Sequence, residues 1–416
     1  MGSSDTRIGG SVRAGRDVVF GDRIEHLVIH LHDGVAPLVL DDAALEARRR
    51  EYLSRLPEFY GGLDFKGIRL PDAIERTAGV QLADVYVPVR ARLDSADSRA
   101  HRRIAGRLLG ETDAASEDEA SDDENLATLI RTSPALVLLG DPGAGKTTLL
   151  KFLALELARS PGGVVPILVP LAAYSRALEG NSELPLTRFL ADYYESRISS
   201  IHGLGELFAR ALQQGRAVLL LDGLDEVVAG REHIVERVDA LVRDHLPPLD
   251  RMGEEIGNRV IVTSRFVGYR EAPLSDPRWR TLALVDWELG DEDEPGEIEI
   301  FVQRFTRAVE VLIAGGETEQ ALRQAGEERG ELLARIRGNA GIRRLAGNPL
   351  LLTVLALIKR QGVELPHRRV ELYELYLETL LRSWNRARAL DRQPVGPEID
   401  YYEVWQVLAP LALWLR

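Results

Sequence analysis

The stretch Gly140-Asp141-Pro142-Gly143-Ala144-Gly145-Lys146-Thr147 fits the pattern G-x-x-x-x-G-K-[ST]. A loop of this kind wraps a phosphate. Its glycines let backbone N–H groups converge, and the helix starting there adds the positive end of its dipole. Lys146 is placed to reach the β- and γ-phosphates, and the Thr147 hydroxyl to ligate Mg²⁺. With Thr148 behind them, these residues are the candidate nucleotide-binding set. A glycine turn that merely caps a helix is the alternative. The surroundings favour the phosphate loop: an apolar run, Ala135 to Leu139, precedes it, and a helical pattern, Thr147 to Arg159, follows.

Outward from this loop, Val164 to Leu171, Val218 to Leu221, Val260 to Thr263 and Leu282 to Val285 read as further strands. Short apolar strands joined by helices predict an α/β fold, a parallel sheet with helices on both faces. After Pro295 the pattern is helical, first near Ile298 to Ala314 and then in shorter pieces to Arg360. Upstream, residues 1–40 carry turn signals at Gly9-Gly10 and Gly21-Asp22 between alternating apolar residues, a sign of short β-strands. Asp41 to Thr77 reads as helical and Val85 to Val89 as one strand. Glu111 to Asn125 holds eight carboxylates and no large apolar residue, the composition of a flexible linker.

Two of these strands end in chemistry. Leu219-Leu220-Leu221-Asp222 delivers a carboxylate where a second Mg²⁺-holding group is needed. By itself Asp222 could be a strand-end turn residue; the phosphate loop upstream favours the metal role. Asp225 and Glu226 follow, as candidates to orient or deprotonate an attacking water or as solvated acids opening a turn. Val260 to Ser264 leads into Arg265, at the strand edge where such sheets bind ligands. Arg265 either touches a γ-phosphate or is a surface arginine. His26, His30 and His32 share one face of a strand and could be drawn as a metal site, although exposed strand histidines account for them equally simply.

Composition bounds the rest. A chain of 416 residues splits into two or three domains. The absence of cysteine excludes disulfides, thiol catalysis and cysteine-ligated zinc. No apolar run approaches the ~20 residues that cross a bilayer. A net charge of −13 gives no signal for broad nucleic-acid binding. The expected location is the cytoplasm. Arginine outnumbers lysine 48 to 4, yet a lysine is kept at position 146.

Gly140 to Thr148, Asp222-Gly-Leu-Asp-Glu226, the Thr-Ser-Arg ending at Arg265 and the run Gly347-Asn-Pro-Leu-Leu-Leu352 together resemble a NACHT domain, the ATPase shared by NOD-like receptors and bacterial NACHT proteins. Val165 to Leu171 resembles that family's strand after the first helix, and Leu365-Pro366-His367-Arg368-Arg369 with Leu372-Tyr373 the opening of its winged-helix region. The resemblance implies ATP or ADP with Mg²⁺ as cofactors, and Pro349 as the proline packing on the adenine. The residue patterns predict a β-rich segment at 1–40, a helical segment with one strand at 41–91 and an acidic linker at 92–125; from there the resemblance implies the P-loop core at 126–290, a helical domain at 291–362 and a partial winged-helix region from 363 to 416. No counterpart is visible to the winged-helix histidine that contacts the ADP phosphate in the family. The function implied is a slowly hydrolysing switch, ADP-bound at rest and self-associating on ATP exchange, in bacterial defence with an unknown trigger that a phage component would fit. A nucleotide-locked scaffold without turnover and a small-molecule P-loop kinase are the competing readings.

Overall fold

The computed structural model describes residues 41–63, 79–93, 126, 129–130, 133–198, 201–247, 257–291 and 294–360, with isolated positions between 365 and 410. The expected strands of residues 1–40 with His26, His30 and His32, the acidic stretch Glu111 to Asn125 and most of the winged-helix stretch lie outside these residues.

Helix α1 (Asp42–Tyr60) and the short α2 (Leu82–Val85) precede strand β1 (Ala91–Leu93). The core then alternates: β2 (Ala135–Leu139), α3 (Lys146–Arg159), β3 (Val165–Pro170), α4 (Leu171–Gly180), α5 (Leu186–Glu195), α6 (Leu204–Gln213), β4 (Ala217–Asp222), a 3₁₀ turn at Leu224–Glu226, α7 (Arg231–His245), β5 (Arg259–Ser264), α8 (Phe266–Glu271) and β6 (Trp279–Leu284). Four helices follow: α9 (Glu297–Ala314), α10 (Glu319–Gly338), α11 (Ala340–Ala346) and α12 (Pro349–Arg360).

The six strands form one sheet in the order β1-β6-β2-β5-β4-β3. All pairings are parallel except β1 with β6, where Ala91 faces Leu284. Every residue of β2 is buried, as are the first five of β4, because helices cover both faces. From the neighbouring strands β2 and β5 the chain leaves in opposite directions across the sheet, toward β3 and toward β6. Such a reversal opens a crevice at the carboxyl ends of the strands.

Strand β3 lies at an edge and contains Pro166 and Pro170, residues that edge strands tolerate because they donate no hydrogen bond. Its free edge is not left to solvent. Tyr52 and Tyr60 of α1 donate to Pro166 O (2.8 Å) and Leu168 O (3.0 Å). Tyr194 of α5 donates to Leu168 O (2.7 Å) and accepts from Leu168 N (3.1 Å). Three hydroxyls thus stand in for a missing strand and block sheet extension from that side. Burial pushes the Tyr52, Tyr60 and Tyr194 pKa values far up, so all three stay neutral. Tyr194→Phe is expected to cost about 1–3 kcal/mol, the penalty of an orphaned buried backbone group, read as a lower urea midpoint. An unchanged midpoint would show that the edge is satisfied otherwise.

The structure moves one expected strand. Val85 closes α2, and Tyr86 to Arg90 belong to no strand; β1 begins at Ala91, just after Arg90 O accepts from Val285 N (3.0 Å). Pro88 has no N–H to give, which would leave a gap in any ladder this stretch could form. It is held sideways instead: the Tyr86 ring stacks on Phe152 at 3.7 Å, Arg304 of α9 donates to Tyr86 O, and Arg90 pairs with Glu297 (2.6 Å) and Glu288 (3.0 Å). Residues 92 and 93, expected to open the acidic linker, belong to β1.

Among the helices, α10 is one piece of 20 residues where shorter pieces are expected. Thr318 caps it by accepting from Ala321 N, and Asn339 caps α11 by accepting from Gly341 N and Ile342 N. No helix among the described residues is long and apolar enough to cross a membrane.

Candidate functional site

The loop between β2 and α3 turns inward through two left-handed glycines, Gly143 (φ +84°) and Gly145 (φ +89°), a conformation that other residues adopt only with strain. Lys146 opens α3 and folds back over the loop, its Nζ donating to Gly140 O (2.6 Å) and Asp141 O (3.1 Å). Burial lowers the Lys146 pKa; the nearby carboxylates of Asp225, Asp222 and Asp141 push it back up, and Arg265 lowers it further. Thr148 sits beside Thr147 in the first turn of α3, half-buried.

Asp222 ends β4 opposite this turn. Thr147 Oγ1 donates to Asp222 Oδ2 (2.8 Å), and Thr263 Oγ1 of β5 donates to Asp222 Oδ1 (2.6 Å). Thr263 Oγ1 is itself fixed by accepting from Gly223 N (2.9 Å). Hydroxyl and carboxylate oxygens side by side suit Mg²⁺, which takes hard oxygen ligands and completes its shell with phosphate and water. Among the described residues no group of three or more His, Cys, Asp or Glu could hold a metal without such outside ligands. Thr147 and Asp222 are the residues that would hold this ion, and bound there it would draw charge from a phosphate.

Asp225 lies in the 3₁₀ turn and faces Arg265. Its Oδ1 accepts from Arg265 N (2.9 Å), and its Oδ2 pairs with Arg265 Nε at 3.0 Å. The carboxylate is 10% exposed and the arginine 51%. Two residues that sequence reasoning passed over build this corner. Gly268 leaves no side chain against Asp225; a Cβ there would lie 2.3 Å from Asp225 Cβ. Arg231 donates to Asp225 O (3.1 Å), Val227 O (3.1 Å) and Gly268 O (3.4 Å), and pairs with Glu271, tying the 3₁₀ turn to α8. Their separations in sequence, such as the 40 positions between Arg231 and Glu271, hold no local signal. Glu226 is exposed and lies against Gly223, where its carboxyl group would be 3.1 Å from an added Cβ.

Pro349 begins α12 beside the loop. A Cβ on Gly145 would sit 4.0 Å from Pro349 Cγ and 3.8 Å from Val89 Cγ1, so an apolar residue flanks the loop on each side. The candidate phosphate-loop, Mg²⁺ and catalytic residues therefore converge on the carboxyl ends of β2, β4 and β5, with Pro349 beside them. The arrangement can grip a polyphosphate through the loop and Lys146, hold a divalent cation through Thr147 and Asp222, and present a guanidinium to a terminal phosphate.

Comparison with curated proteins gives no match. The family model of the NACHT domain matches residues 135–274, from the first residue of β2 to the loop after α8. Strands β2 to β5, the phosphate loop and the Asp222 and Arg265 edges fall within that span, which matches the NACHT domain and is consistent with a P-loop NTPase.

Proposed function

We propose that the chain is a cytoplasmic switch that binds ATP with Mg²⁺, hydrolyses it slowly, rests with ADP bound and self-associates when ATP replaces ADP. The NACHT domain implies a nucleotide-binding NTPase; the switch is the further step. One observation carries it: the first residues of α12, outside the matched span, lie on the phosphate loop, with Leu350 N donating to Gly143 O at 3.2 Å. The helical region at 294–360 therefore touches the loop that would hold the phosphates. A ligand that binds one arrangement of the two better than another shifts their populations. A role in anti-phage defence rests on the family resemblance alone.

A nucleotide-locked scaffold is the second reading, favoured by the engagement of both Asp225 oxygens with Arg265. Turnover separates the two. The switch expects ADP to copurify, identified by mass spectrometry after denaturation. It also expects ATP turnover below the usual enzymatic range of roughly 1 per second, with sizing showing larger species in ATP than in ADP. No hydrolysis over a day would leave the scaffold. Phosphoryl transfer to an added acceptor would point to a kinase.

A further inference from the structure

We infer that Asn348 is a positioning residue for the nucleotide phosphates, holding the phosphate loop open from outside through the start of α12. The inference rests on the nucleotide-binding reading above and assigns it a residue. The motif G-x-x-x-x-G-K-[ST] leaves position 143 free, yet Gly143 stands there with φ +84°. The reason lies outside the loop. A Cβ on Gly143 would meet Asn348 Oδ1 at 2.6 Å and Leu350 Cβ at 2.8 Å, both closer than real contacts allow.

Asn348 is 6% exposed and uses both ends of its amide. Its Nδ2 donates to Pro142 O (3.0 Å), and its Oδ1 accepts from Leu351 N (3.2 Å), capping α12. Leu350 N donates to the next loop carbonyl, Gly143 O (3.2 Å). Two successive carbonyls of the loop are thus held from the α12 side. In a planar trans peptide the N–H points opposite to the C=O. The amides of Gly143 and Ala144 are therefore turned away from α12, toward the loop interior, and Ala144 N reaches across it to Asp141 O at 3.1 Å. These are amides of the kind that cradle a phosphate. The turn before α12 is held from its other side as well, because Trp287 N donates to Gly347 O (2.8 Å).

At its far end α12 is fixed too: Arg360 pairs with Glu310 of α9 (2.6 Å) and with Glu328 of α10, and Lys359 pairs with Glu331 (2.7 Å). Loop and helical region are joined through one rigid rod, so phosphate binding and the docking of α12 favour one another, and the coupling is reciprocal.

The experiment separates the two ends of the Asn348 amide. Asn348→Asp keeps an oxygen to cap α12 and loses the donor to Pro142 O; Asn348→Ser keeps a capping hydroxyl on a shorter side chain and withdraws the amide that reaches Pro142 O. Each is titrated with fluorescent ADP beside wild type and Lys146→Ala, and melted with and without ADP. Both variants are expected to bind ADP about tenfold more weakly, Asp more than Ser because of its charge, while melting without nucleotide stays near wild type. The rise in melting temperature given by ADP should shrink in parallel. ADP binding within about twofold of wild type in both variants, with Lys146→Ala unable to bind, overturns the role of Asn348 alone. A nucleotide-free melting loss large enough to account for the weaker binding makes Asn348 a structural cap only, and also overturns it. Wild-type protein that binds no nucleotide overturns this inference together with the reading beneath it.

Discussion

Lys146→Ala is expected to abolish binding of ATP and ADP while the fold stays intact. Lys146 is the only cation in the loop between β2 and α3, and its ammonium sits among carbonyl oxygens at 2.6 and 3.1 Å. Those oxygens can be hydrated when it is removed, so folding loses little. A bound polyphosphate has no such substitute, because neutralising its charge in a half-buried loop depends on this one side chain. A loss of about 100-fold or more, some ~2.7 kcal/mol, is the expected size, measured by titration with fluorescent ADP beside a circular-dichroism melt. Binding within about tenfold of wild type would put the phosphate-loop assignment in trouble. The wild type should also show the proton. Burial lowers the Lys146 pKa in the free protein, and a phosphate raises it. Affinity is therefore greatest below the free-state pKa and falls as pH rises toward the bound-state value.

The sheet was legible because its strands are apolar runs of five or six residues, each followed by polar residues that cannot be buried, such as Asp222 and Arg265. The phosphate loop was legible for a different reason: its chemistry needs adjacent residues. Val85 to Val89 misled because its apolar, β-branched character is that of a strand, yet strand state depends on a partner, and Pro88 removes a donor that a partner would pair with. Helix α10 runs through Gly326 and Gly330 without a break. Each costs only about 1 kcal/mol in a helix, and burial of Ala325, Leu332, Leu333 and Ile336 along one face outweighs that. The tyrosines on the β3 edge could not be read at all: Tyr52 meets Pro166 across 114 positions and Tyr60 meets Leu168 across 108. Gly268 and Arg231 were hidden for the same reason. Asn348 sat in a quoted run, but its second partner, Pro142, lies 206 positions away.

Asp222→Asn and Asp225→Asn are expected to fail differently. Asp222 accepts from Thr147 and Thr263, so an amide there turns N–H groups toward hydroxyls already donating, and one hard oxygen is lost to the cation. ATP affinity should then fall about tenfold in Mg²⁺ and much less in chelator. Asp225 touches neither Thr147 nor Lys146 through any hydrogen bond found here; its partner is Arg265, by two contacts at 2.9 and 3.0 Å. Asp225→Asn keeps an acceptor for Arg265 N but loses the charge that holds the guanidinium. Nucleotide affinity should stay within about threefold of wild type, while hydrolysis drops on the order of 100-fold, the usual loss when a positioned acid–base or electrostatic group is removed. A protein that keeps ATP without cleaving it should then be the more oligomeric of the two in ATP. Equal loss of Mg²⁺-dependent binding in both variants would sink this division. It would mean that Asp225 contributes to the cation site, and that its pairing with Arg265 gives way when Mg²⁺ and ATP arrive together.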